Sequence, residues 1–361
     1  MNNKNKTWRL IDTGLRSAAE NIALNRALLE CRQSDESPST LRFLQFKPSA
    51  LLGFHQSAEQ ELNLDYCRDQ GIEIQRRITG GGAIYFDEAQ LGWELYLHRK
   101  ELGAAQMDQI SSRICEAAAS GISRLGVNAR FRPRNDIEVD GRKISGTGGA
   151  FDGNALMYQG TLLIRFDVEK MLRVLRIPSE KLSDKAIASA RDRVANLADL
   201  LGYTLELDIV KQNLVEAFSD EFGVIFNAGS LSPREESAYV EALKEIDHPD
   251  WVNLLSKPIS DMPLLEGVKK FPGGLLHVRL AYDQSRNRIH QVWFTGDMFV
   301  SPKRAIADLE ARLRDLPVTQ LREVILAFFA AHSVDMLGLE PENFATVIQL
   351  ALAGSTTSAV A

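Results

Sequence analysis

At 361 residues, with 45% hydrophobic and 25% charged residues and only 12 prolines, the chain is long enough for one large core plus a smaller companion domain and too apolar to be disordered. A net charge of −6 provides no global basic field, which argues against nucleic acid as the partner. Cys31, Cys67 and Cys115 are widely spaced, without a CxxC pair, which excludes a disulfide framework and a cysteine metal site and fits a reducing cytoplasm.

The polar start Met1-Asn2-Asn3-Lys4-Asn5-Lys6 leads to Trp8 without a signal-peptide apolar region, and no run of about 18 apolar residues suggests a membrane span. Thr7 to Asp12 reads as a strand, and Leu15 to Glu30 as a helix from the spacing of Leu15, Ala18, Ala19, Ile22, Leu28 and Leu29. Leu41 to Phe46 and Ala50 to Phe54 read as strands around a Lys47-Pro48-Ser49 turn, followed by a short helix at Leu62 to Gln70 and a strand at Ile72 to Gln75.

That strand runs into Arg76-Arg77-Ile78-Thr79-Gly80-Gly81-Gly82-Ala83-Ile84-Tyr85, two cations and three glycines between apolar runs. Glycine accepts positive φ and close approach, and successive free N–H groups form a concavity suited to phosphate. Two arginines add donors that match carboxylate or phosphate oxygens. By itself the stretch also suits an ordinary loop, and it lacks the Lys-Ser/Thr of a P-loop.

A buried strand at Leu91 to His98 and a helix at Met107 to Leu125 follow. From Ala129 the pattern is sheet-like, at Ala129–Arg132, Ile137–Val139, Lys143–Ser145 and Leu156–Ile164, with Asp140-Gly141 as a hairpin turn. Asn135-Asp136 precedes that hairpin and Lys143 follows its turn, so a carboxylate suited to Mg²⁺ and a compact cation suited to an oxyanion can face one another. Val168–Leu175 reads as a short helix and Ser179–Arg193 as a charged, irregular segment. Helices are expected at Val194–Leu201 and Leu207–Phe222, and the Gly, Ser and Pro-rich stretch Asn227–Glu235 as a domain boundary. The remainder reads as a helix at Glu235–Ile246, strands at Gly267–Phe271, Leu275–Tyr282 and Arg288–Thr295, helices at Pro302–Leu313 and Thr319–Ala331, and a frayed tail from Gly354. Without regular βαβ alternation the class is α+β: a large domain over 1–226 with a mainly antiparallel or mixed sheet flanked by helices, and a small α+β domain over 236–353.

Taken together, these stretches resemble the lipoate–protein ligase family, part of the superfamily that also holds biotin–protein ligases and octanoyltransferases. Arg77-Ile78-Thr79-Gly80-Gly81-Gly82-Ala83-Ile84 is similar to its lipoate-site glycine motif, Asn135-Asp136 with Arg142-Lys143-Ile144-Ser145-Gly146 to its adenylate motif, and Gly160-Thr161-Leu162-Leu163 to the strand that follows. The segment from Lys181 to Lys185, with Arg193-Val194 and Asn196-Leu197, resembles the one that closes the large domain, and Gly273-Gly274-Leu275 with Gly296-Asp297-Met298-Phe299 resembles the accessory domain.

The resemblance implies an adenylate-forming enzyme that joins lipoate to ATP with Mg²⁺ and transfers the lipoyl group from lipoyl-AMP to a lysine of an acceptor, whether a lipoyl domain, an H protein or an H-protein-like carrier. Lys143, Asp136 and Arg77 are the expected catalytic groups, with Asp136 on the metal. Thr79, Gly80, Gly81, Gly82, Ala83, Ile84, Tyr85, Asn135 and Gly146 are expected to bind substrate and nucleotide. A cytoplasmic monomer is expected, with Leu44, Phe54, Leu95 and Leu156 as candidates for an apolar slot. Three departures from the family pattern stand out: Tyr158-Gln159 where members carry a histidine, Phe86-Asp87 where members carry His-Asp, and Asn25-Arg26 where members often carry an acidic residue. The alternatives are an octanoyl or lipoyl transferase of the same fold, which would use a cysteine thiolate and no ATP, and a non-catalytic lipoate-binding protein. No cysteine falls between Ser145 and Gly160, where that nucleophile is expected.

Overall fold

The computed structural model describes residues 6–103, 107–133, 135–176, 184–255, 260 and 262–357. The chain divides into two compact units, one of Met1–Leu51, Asn63–Gln75 and Ile84–Trp251, the other of Leu52–Leu62, Arg76–Ala83 and Val252–Ala361. Among the described residues no helix is long and apolar enough to cross a membrane.

In chain order the strands are β1 (Lys6–Arg16), β2 (Thr40–Phe46), β3 (Ser49–Leu52), β4 (Glu73–Arg76), β5 (Ile84–Phe86), β6 (Gln90–His98), β7 (Ala129–Arg132), β8 (Asp136–Val139), β9 (Arg142–Asp152), β10 (Ala155–Leu163) and β11 (Val224–Ala228). Eight of them form a mixed sheet in the order β11-β1-β2-β6-β10-β9-β8-β7. β1 runs parallel to both of its neighbours, and every other pairing is antiparallel. β4, β3 and β5 form a separate three-stranded sheet.

The core of this unit is built on β6. Trp93 is fully buried, 6.4 Å from Tyr158 and 5.3 Å from Phe218, among residues of the helices Met107–Ser123 and Leu207–Phe222. The helix Ala18–Gln33 is started by a capping box, in which Ser17 accepts the Glu20 N–H and Glu20 accepts the Ser17 N–H. Its buried polar side chains complete a network with the sheet. Arg42 lies 3.0 Å from Glu94, and Asn25 and the Tyr96 hydroxyl donate to the same carboxylate at 2.7 and 2.6 Å. Leu44, Leu95 and Leu156 are core residues at 0–2% exposure, so packing accounts for them.

The chain does not divide at Asn227–Glu235. That stretch contains the end of β11, hydrogen-bonded to β1, and the start of the helix Pro233–Ile246, which belongs to the first unit. Arg9 forks onto the fully buried Glu235 at 2.6 and 2.5 Å, and Arg26 reaches Glu245 at 2.6 Å. A buried carboxylate needs such a partner, and this one ties the helix to β1.

The second unit carries β12 (Leu264–Phe271), β13 (Gly274–Asp283) and β14 (Arg288–Gly296) in an antiparallel sheet, with the short strand Leu316–Pro317 beside β14. The helices Ala305–Arg312, Leu321–Ala331 and Pro341–Thr357 close its core, where Phe294 meets Phe344 edge-on at 5.1 Å. The last helix replaces the expected fray from Gly354 to Thr357, and residues 358–361 lie outside the described residues. Asp184–Arg191 is helical where an irregular segment was expected, while Lys181 lies outside the described residues. The helix expected from Val194 begins at Leu197.

Candidate active site

Asp136 opens β8 and Lys143 lies near the start of β9, joined through Asp140 and Gly141, whose φ values of +52° and +76° suit the Asp-Gly turn. Next to the turn Glu138 pairs with Lys143, but the register then shifts so that Ile137 pairs with Ser145 and Asp136 with Gly146. Ile144 is therefore the extra residue of a bulge. Its effect is to set Gly146, not Ser145, opposite Asp136. Lys143 lies back over that glycine: a Cβ on Gly146 would come within 2.8 Å of Lys143 Nζ.

Lys143 Nζ ends 2.7 Å from Asp136 Oδ1, and Arg132 donates to Asp136 Oδ2 at 2.7 Å. The main chain of Lys143 is held on both sides. Its N–H donates to the Arg193 carbonyl and its carbonyl accepts the Ala195 N–H, each at 2.8 Å, in a parallel bridge to Val194. Val194 could not be both helical and so paired, which is why that helix starts later. Asn196 fastens the same segment by accepting the Phe166 N–H at 2.7 Å. Asn135 donates through Nδ2 to the Thr147 carbonyl at 3.2 Å. The structure thus brings Asn135, Asp136, Lys143 and Gly146 together in the first unit.

Arg77, Thr79, Gly80, Gly81 and Gly82 come together in the second unit. Arg77 is buried, and its guanidinium donates to the carbonyls of Gly80 and Gly82 at 3.1 and 2.9 Å, bracing its own turn. Desolvation pulls its pKa down to about 10, so it stays a cation at neutral pH. Arg76 is fully buried and spends its donors on the carbonyls of Gly53, Phe54, Gln56 and Val252. This corrects the expectation that both arginines lend donors to an anion; a buried guanidinium requires acceptors, and the chain nearby supplies them.

Gly81 sits at φ +96° and donates its N–H to the Met298 carbonyl at 3.2 Å, while a Cβ there would lie 2.7 Å from the Phe299 ring. Phe54 donates to the Thr79 carbonyl at 2.8 Å. Ala83 ends this run, whereas Ile84 and Tyr85 open β5 in the first unit, paired with Leu51 and Ala50. Lys170 Nζ lies 5.3 Å over the Tyr85 ring.

Among the described residues no group of three or more His, Cys, Asp or Glu side chains could hold a metal. Asp136 Oδ1 is nevertheless a buried oxygen that accepts no well-directed hydrogen bond despite its ion pair. One such carboxylate fits Mg²⁺ arriving with phosphates. All three cysteines are buried, at 0–1% exposure. Desolvation raises each thiol pKa, that of Cys67 to about 11.

Residues that sequence reasoning missed are those acting through the main chain: Ile144, Arg193, Val194 and Ala195. Ile144 fell within the adenylate-like motif, and the signal for the others was the closing motif around Arg193 to Leu197, but neither motif assigned them a main-chain role.

Residues 17–219, more than half of the chain, match the family described as Lipoyl protein ligase A/B catalytic domain. The chain is 30% identical over 250 residues to lipoate-protein ligase A subunit 1 of Thermoplasma acidophilum, an alignment covering 66% of this chain and 93% of that protein. It is 26% identical over 270 residues to the octanoyltransferase LipM of Moorella thermoacetica, covering 68% of this chain and 98% of the relative. The crystal structure of a lipoate-protein ligase A bound with ATP superposes with a TM-score of 0.61 at 26% identity, over 69% of this chain and 100% of that one. With its α+β fold and the Asp136–Lys143 hairpin in place, the chain belongs to the lipoyl protein ligase A/B catalytic domain family, the enzymes that include lipoate–protein ligases and LipM octanoyltransferases.

Proposed function

We propose that this enzyme is an ATP-dependent lipoate–protein ligase and not a cysteine-dependent octanoyltransferase. The observation that carries the choice is the state of its thiols. A transferase of this fold needs an accessible thiolate, whereas Cys31, Cys67 and Cys115 are buried and held protonated by desolvation. The charged hairpin instead suits phosphoryl chemistry, in which a carboxylate approaches another anion and needs a cation between them.

In this reading the lipoate carboxylate attacks the α-phosphorus of ATP, pyrophosphate leaves, and Lys143 stabilises the oxygens at the new acyl–phosphate junction. Asp136 would hold Mg²⁺, which when bound neutralises the departing phosphates. Asn135 and Gly146 keep Asp136 and Lys143 in register. Arg77 and the Thr79–Gly82 turn serve the acid, and Ala83, Ile84 and Tyr85 the nucleotide. In the second step the ε-amine of an acceptor lysine attacks the acyl carbonyl and AMP leaves. The acceptor is a lipoyl domain, an H protein or an H-protein-like carrier. Residues from Val252 onward are the accessory domain.

The test is lipoate-dependent exchange of labelled pyrophosphate into ATP without acceptor, run beside incubation with an octanoyl thioester donor. A ligase exchanges and forms no hydroxylamine-labile protein adduct. An adduct on a cysteine without exchange would establish the transferase, and binding of lipoate with neither activity would establish a pure binder.

A further inference from the structure

Three polar side chains with no part in the chemistry above converge behind the start of the hairpin. Cys115 of the helix Met107–Ser123, Thr147 of β9 and Tyr158 of β10 meet one another, with Cys115 Sγ 3.3 Å from Thr147 Oγ1 and 3.2 Å from the Tyr158 hydroxyl, and the two hydroxyls 3.2 Å apart. All three are buried, Cys115 and Tyr158 within the main apolar core of their unit. Polar groups there cost stability unless they bond one another, and once bonded they fix one geometry.

The set has a direction. Asp136 opposite Gly146 is the last pair of the β8–β9 ladder. The residue before it, Asn135, is held by Thr147, which donates to its carbonyl both from N–H at 2.8 Å and from Oγ1 at 3.1 Å. A hydroxyl has one proton and two lone pairs. With that proton given to Asn135, Thr147 Oγ1 can only accept, so the two protons of Tyr158 and Cys115 serve the three contacts among these groups, at least one of them donated to Thr147. Burial, which raises the pKa of both groups, keeps them protonated for that task.

We infer that Thr147, backed by Tyr158 and Cys115, is a positioning residue that anchors the Asn135 main chain and so fixes the Asp136 carboxylate opposite Lys143. It touches no reacting atom. Its catalytic consequence rests on the ligase reading, but the anchoring itself does not.

The experiment compares Thr147→Val, which keeps the shape and removes the hydroxyl, with Thr147→Ser, which keeps the hydroxyl. Two readouts are taken: amide hydrogen exchange across residues 135–147, and kinetics of pyrophosphate exchange with separate KM values for ATP and lipoate. Thr147→Val is expected to speed amide exchange at the hairpin start by about tenfold while the sheet core stays protected. It is also expected to lower kcat/KM for ATP by roughly tenfold with the KM for lipoate unchanged, and Thr147→Ser to stay within about twofold of wild type on both readouts. Tyr158→Phe should give a smaller loss, and the double variant Thr147→Val/Tyr158→Phe no more than Thr147→Val alone, because the two act through one chain of bonds. Should Thr147→Val not fold, Tyr158→Phe alone decides, since it leaves the ring and Thr147 in place. Unchanged hairpin protection and unchanged ATP kinetics in that variant, or in Thr147→Val, overturn the inference. A wild-type protein that binds no ATP and exchanges no pyrophosphate overturns the ligase reading instead, and hairpin protection still decides the anchor.

Discussion

Lys143 Nζ stands 2.7 Å from Asp136 Oδ1, and it gets there by lying across Gly146, which the bulge at Ile144 has set opposite the aspartate. The lysine side chain is 38% exposed, so the pair contributes little to stability. Its value is the placement of a cation beside a carboxylate on a main chain fixed from both sides.

Lys143→Ala is therefore expected to leave the unfolding midpoint nearly unchanged, with a cost of at most about 1 kcal/mol, and to lower the rate of adenylate formation by a factor of about 10²–10³. Gly146→Ala asks the finer question. Its methyl would fall 2.8 Å from Nζ, the far end of a flexible side chain, so the lysine can move aside and folding survives. A loss of roughly tenfold in pyrophosphate exchange is expected, since small misplacements of a charged group are costly to catalysis. Wild-type rates in both variants would remove Lys143 from the mechanism.

Arg42 and Glu94 are both buried, joined at 3.0 Å, and Glu94 also accepts from Asn25 and Tyr96. Glu94→Leu strands a cation in the sheet and is expected to cost about 3–5 kcal/mol in denaturant unfolding of the first unit. The double variant Arg42→Met/Glu94→Leu should recover most of that loss. If the double variant were as unstable as the single one, the pair's neighbours, not its charge, would be responsible.

In the second unit Glu310 accepts the Phe294 N–H at 2.6 Å, and burial raises its pKa to about 7. The folded state therefore prefers the protonated form. The sign follows: the contribution to stability is full below the unfolded value near 4.5 and is lost as pH rises through about 7. Glu310→Gln retains an acceptor without the charge. It should raise Tm at pH 8 and leave it unchanged at pH 4, as read by thermal melts at the two pH values. Equal shifts at both would mean that the carboxyl titrates normally.

Local chemistry in the sequence determined much of this protein. The Asp140-Gly141 turn, the apolar periods of β6 and of the helix Met107–Ser123, and the spacing from Asn135 to Gly146 each depend on a few neighbouring residues, and those were enough to indicate the α+β class, the hairpin and the family. Other features were decided by partners far along the chain. The bulge at Ile144 follows from a register shared with β8 and from the Arg193–Ala195 segment. The helix Pro233–Ile246 joined the first unit because Arg9 meets Glu235 across 226 residues. Arg76, expected to donate to an anion, became a buried brace, since only packing determines which polar groups lose water and must then find acceptors within the protein. The cysteines show the same division. Their number and spacing were visible in the sequence, but the burial that disfavours their thiolates belongs to the tertiary structure.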